Sequence, residues 1–142
     1  MPDRNHDGER GGLSLMIVIL FAVLAALAGI VVDGGAKLTA DETAVALAQE
    51  AARAGATTVN VSTAYASGSF VVDQGLALSA ARTYLVSAGY NRFTAVAVGA
   101  RAIRISVTIT QPTRFLSLIG IDSFTSTGTA TASLLTGVTG GT

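Results

Sequence analysis

The pattern of apolar and polar positions divides the chain at Val32. Residues 13–32 read LSLMIVILFAVLAALAGIVV, apolar on every helical face and without a charge, with Ser14 the sole hydroxyl. Some twenty residues at about 1.5 Å each span about 30 Å, the thickness of a bilayer's hydrocarbon core. A helix apolar all round has to be buried all round. A chain of 142 residues is too short to wrap this helix in protein and still build a second core. The run therefore reads as a membrane-spanning helix. It is longer than the apolar core of a cleaved secretory signal, roughly 7–15 residues, and Asp33-Gly34-Gly35-Ala36-Lys37 continues it without a clear break.

Beyond Val32 the pattern turns amphipathic. Ala44, Leu47, Ala48, Ala51, Ala52 and Gly55 recur at three- and four-residue spacing and form one stripe of small side chains. Alanine is the strongest helix former, and only Gly34-Gly35 offers a place to bend. One long helix from about Leu13 to about Ala54 is expected, half in lipid and half outside. Its stripe must pack on the following domain or on a neighbouring subunit. The stretch from Ala56 to Ser69 fits a short strand or a loop. Asp73 then suits a helix N-cap, Ala77 to Ala88 keep helical spacing, and Gly89 suits the position just past the helix end.

Period-two alternation follows. Ile103, Ile105, Val107 and Ile109 alternate with Arg104, Ser106, Thr108 and Thr110, predicting a strand with one buried and one wet face. Phe93 to Val98 is its expected antiparallel partner across a Gly99-Ala100 turn, and Gln111-Pro112 is expected to end the strand. Thr113 to Ile121 reads as one or two helical turns against the sheet, Ser123 to Leu135 as a last, threonine-rich strand. The fold class is α+β: a long N-terminal transmembrane helix, then a small antiparallel sheet with one or two short helices. The expected divisions are a cytoplasmic leader at 1–12, the span at 13–32 and its extracytoplasmic extension at 33–56. An exported domain at 57–136 and a flexible tail at 137–142 complete the chain.

Composition removes most chemistry. The formal net charge is zero, so no global field draws the protein to nucleic acid, and no nucleic-acid partner is expected. There is no cysteine, hence no disulfide and no thiolate metal site. The one histidine, His6, lies in the polar leader, so no Ser-His-Asp or Cys-His nucleophile can be assembled. The glycine pairs Gly11-Gly12, Gly34-Gly35 and Gly140-Gly141 match neither a phosphate loop nor a dinucleotide fingerprint. No catalytic, cofactor-binding or metal-binding residue is expected, and no enzyme. Arg92, Arg101, Arg104 and Arg114 make the exported part slightly basic; a solvated strand face accounts for them better than a polymer-binding patch does, because aromatic residues are sparse. Arg4 and Arg10 precede the span and only Lys37 closely follows it, which favours a cytoplasmic N-terminus and an extracytoplasmic C-terminal domain.

Three features together resemble a known family. The polar leader Glu9-Arg10-Gly11-Gly12 stops abruptly at the apolar helix. The helix leaves the membrane through Gly29-Ile30-Val31-Val32-Asp33-Gly34-Gly35, and an alanine-rich continuation ends Ala51-Ala52-Arg53-Ala54-Gly55-Ala56. In this order they look like the TadE/TadG-like pseudopilins of Tad (Flp) pilus assembly, over about residues 9–56. Tyr84-Leu85 and Phe115-Leu116-Ser117-Leu118-Ile119-Gly120 before a threonine-rich strand resemble the family's compact form in high-GC Gram-positive bacteria.

The resemblance implies a minor pilin-like structural subunit at the cell membrane, with other pseudopilins or Tad assembly proteins as partners. It also implies leader cleavage by a prepilin peptidase, with Gly11 as the matching position and Gly12 beside it. The sequence departs from the family at the fifth position after the cut, where glutamate is frequent. Met16 stands there after a cut at Gly11, and Ile17 after a cut at Gly12. Within the span, Ala22, Ala25, Ala26 and Gly29 form a second small-residue stripe suited to helix packing in lipid. The competing reading is a single-pass anchored module that presents its small domain to a wall polymer or a protein.

Overall fold

The computed structural model describes residues 7–58, 73–99 and 101–134. Most of the ambiguous stretch between Ala56 and Ser69 lies outside these residues, as do the turn residue Ala100 and the tail at 137–142. The described elements are helix α1 (Asp7–Ala56), helix α2 (Gln74–Ser87), strands β1 (Phe93–Val98) and β2 (Ala102–Pro112), a 3-10 turn (Leu116–Ile119) and strand β3 (Ser123–Ser133). The architecture is α+β, as the periodicity predicts.

Helix α1 is unbroken across Gly34-Gly35 and starts at Asp7, earlier than the expected Leu13. The second half of the polar leader is thus helical. The long alanine- and leucine-rich segment that follows lets the helix propagate backwards at little cost, since extension adds one hydrogen bond per residue fixed while nucleation has already occurred. From Gly12 to Ala28 every residue of α1 is exposed. This helix is long and apolar enough to cross a membrane.

The C-terminal half of α1 is packed on its own domain. Ala44, Ala48, Ala51, Ala52 and Gly55 are buried and Leu47 is half-buried. The strands form one antiparallel sheet in the order β1-β2-β3. Ile103, Ile105 and Val107 on β2 close onto the alanine stripe, with Ala77, Ala81 and Leu85 of α2 completing the core. Of the two surfaces open to the stripe, it takes the intramolecular one.

Close approach is required for this. A side chain at Gly128 on β3 would run into the backbone of α1 at Ala44 and Val45. At Gly55 a Cβ would stand 2.6 Å from the Ala77 carbonyl oxygen. The outer face of the sheet is wet: Ser106 pairs with Thr129 at 3.0 Å and Thr108 with Thr127 at 3.4 Å, a ladder of hydroxyls across the β2–β3 register. Arg104 joins it by donating to Thr131, and Arg92 by donating to Thr110.

Two local signals hold. Asp73 accepts from the Gly75 and Leu76 amides at the start of α2. Gly89, at φ +86°, follows its end; the Gly89 amide donates to Val86 and the Tyr90 amide to Leu85, the paired bonds of a Schellman cap. Strand β2 ends at Pro112, as expected, and Pro112 still pairs with Ser123. Strand β1 reaches only to Val107 in the register, so beyond it β2 is an edge where proline's missing donor is tolerated. One expectation is corrected: the 3-10 turn does not lie against the sheet but against α1, beside its apolar run.

Candidate functional site

The notable geometry lies where α1 leaves its apolar run. Asp33 is the first residue beyond Val32, and its residue surface is only 2% exposed. One carboxylate oxygen accepts from the Arg114 amide at 2.9 Å. The other accepts from the Phe115 amide at 2.9 Å and the Leu116 amide at 2.7 Å. The 3-10 turn supplies no side-chain cap of its own at Phe115. Asp33, some eighty residues upstream, caps it instead, giving a carboxylate to amides that would otherwise be unpaired. Burial pushes the Asp33 carboxyl upward, but the three amides, together with the nearby Arg114 charge, outweigh it and hold the group below its ordinary value of 3.8.

The loop that Asp33 holds is closed at its base. The Thr113 amide donates to Asp122 at 3.0 Å, and the Thr113 hydroxyl donates to the Ile121 carbonyl. Its apolar side chains Phe115, Leu118 and Ile119 turn to the apolar half of α1. Phe115 covers Gly29, where a Cβ would stand 2.7 Å from the Phe115 Cβ. A groove of about 250 Å³ runs between the two, with Ala22, Ala25, Ala26 and Gly29 on one wall. Phe115, Leu118 and Ile119 form the other. The four residues expected to mediate helix packing thus share one face, and the loop of their own chain takes the lower end of it.

A second tie stands one to two turns further out. Lys37 donates to Asp41 at 3.2 Å and to Ser126 of β3 at 3.5 Å. The Ser126 hydroxyl, then Lys37, hold the Asp41 carboxyl below its ordinary range. Both charged side chains are about two-fifths exposed, so the pair orients the helix on the sheet more than it stabilises it.

Gly11 and Gly12 lie in the helical backbone of α1, and nothing stands within 4 Å of a Cβ placed at Gly12. Among the described residues, no group of three His, Asp or Glu side chains comes together that could hold a metal ion. The role of Asp33 escaped the sequence reading. The signal available was a lone acid at the end of an apolar run, but its partners are more than eighty positions away. No family model, curated protein or solved structure matches this chain.

Proposed function

We propose that this protein is a minor, pilin-like structural subunit of a Tad-type pilus or secretion apparatus, acting by assembly and not by catalysis. Its N-terminus lies in the cytoplasm, α1 crosses the membrane once and the sheet domain stands outside. Other pseudopilins or Tad assembly proteins are its partners. The observation that carries this reading is α1 itself. It is a single unbroken helix, bare along its apolar half and packed along the other half on a small sheet. Such a helix makes the folded domain rigid with its membrane anchor, so that contacts between anchors fix the placement of the domains outside.

Contacts in lipid have to come from close packing, because the hydrophobic effect does not drive helices together there. The Ala22, Ala25 and Ala26 face allows it. In native membranes, Ala26→Leu is expected to abolish cross-linking of α1 to neighbouring single-span subunits, while Val31→Leu, on the opposite face, leaves it unchanged. Leucine inserts at least as well as alanine, so membrane insertion is preserved. Persistence of the cross-links in the Ala26 variant moves the assembly contacts to the exported domain. Absence of any cross-linked subunit in the unmodified protein overturns the pilin-like reading in favour of an anchored binding module.

A further inference from the structure

The loop between β2 and β3 has the wrong surface for water. Leu118 is 84% exposed and Ile119 72%, and Phe115 and Ile121 are exposed as well. Four large apolar side chains within seven residues make a patch of the kind that marks an interaction site. Turns that face solvent favour Gly, Asn, Asp and Ser.

Its position says what it faces. The loop meets α1 at Gly29 and shares a groove with it from Ala22 to Ile30, inside the apolar run. At about 1.5 Å per residue, Gly29 lies about 4.5 Å inside the end of that run and Ala22 about 15 Å. Whatever surrounds this part of α1 also surrounds Leu118 and Ile119. Ile30, which lines the same groove, is 56% exposed.

Hydrocarbon requires polar backbone groups to find partners within the protein, and six amides of the loop do so. The amides of Arg114, Phe115 and Leu116 go to Asp33. Those of Leu118, Gly120 and Ile121 go to carbonyls of the loop itself. Arg114 at the loop base is exposed and placed where a long cationic side chain reaches headgroups.

We propose that Phe115–Ile121 is a second membrane-contacting element, a wedge whose Leu118 and Ile119 insert among phospholipid acyl chains beside the spanning helix. Asp33 fastens it to α1, so the molecule is held to the bilayer at two points and cannot tilt freely in it. The wedge rests on the reading of residues 13–32 as membrane-spanning.

The chain contains no tryptophan, so one introduced residue reports without background. The full chain is reconstituted in phosphatidylcholine vesicles carrying bromine on the acyl chains. Leu118→Trp and Ile119→Trp are compared with Phe21→Trp in the span and Val86→Trp on the exposed face of α2. Both loop variants are expected to be quenched by brominated lipid several-fold more than Val86→Trp, and to resist aqueous acrylamide. Loop emission that behaves like Val86→Trp, with Phe21→Trp quenched, overturns the wedge and leaves the span standing. Shielding of the loop from both quenchers, again with Phe21→Trp quenched, means that a second protein copy covers it, which also overturns the proposal. An unquenched Phe21→Trp removes the spanning helix and the wedge together.

Discussion

Asp33 shows how much one residue can connect. Its carboxylate joins the end of the apolar run to the loop between β2 and β3. Asp33→Ala leaves the Arg114, Phe115 and Leu116 amides without their acceptor. These three are expected to exchange hydrogen faster while the β2–β3 amides are unaffected, as measured by amide exchange on the full chain in detergent. The pH dependence has a definite sign. The native carboxyl lies below its ordinary 3.8, so the stabilisation it contributes is fully present above that value. It is lost as pH falls through the lower native value. The amide chemical shifts of Arg114, Phe115 and Leu116 should titrate together with a midpoint below 3.8. A midpoint above 3.8 would show that the carboxylate is not held by these donors.

At the scale of elements, the fold depends on how close α1 comes to the sheet. Alanines on the helix meet glycine and half-buried Ala130 and Ala132 on β3, so the layers approach with little side chain between them. Gly128 is the tightest point, because a Cβ there would meet helix backbone, which cannot rotate away as a side chain can. Gly128→Ala is expected to destabilise the domain by about 3 kcal/mol, the upper part of the usual range for overpacking. Chemical denaturation followed by the sheet signal in circular dichroism checks this. Gly29→Ala makes the contrast, because its new methyl meets the Phe115 side chain, which can shift. It should disturb the loop and leave the denaturation midpoint of the sheet nearly unchanged.

For the whole molecule, the proposed function turns on which side of the membrane the sheet domain would occupy. The basic residues Arg4 and Arg10 stand before the span and Lys37 alone shortly after it. A reporter active only outside the cytoplasm should work when fused after Thr142 and fail when fused at Met1; the reverse would overturn any pilin-like role. The long helix, the three strands and their faces were legible in the sequence because each rests on a repeat within one element. Unbroken apolarity marks the span, spacing by three and four marks the alanine stripe, and alternation marks Ile103 to Ile109. Asp73 and Gly89 were legible for the same reason, since a cap acts on its own helix. Tertiary structure alone decided that the alanine stripe packs on the chain's own sheet, that Pro112 pairs in a strand, and that the Phe115–Ile119 loop lies along α1. Each of these depends on which surfaces meet across a long separation in the chain. Asp33 and its partners are eighty-one to eighty-three positions apart, and no local period records a bond of that reach.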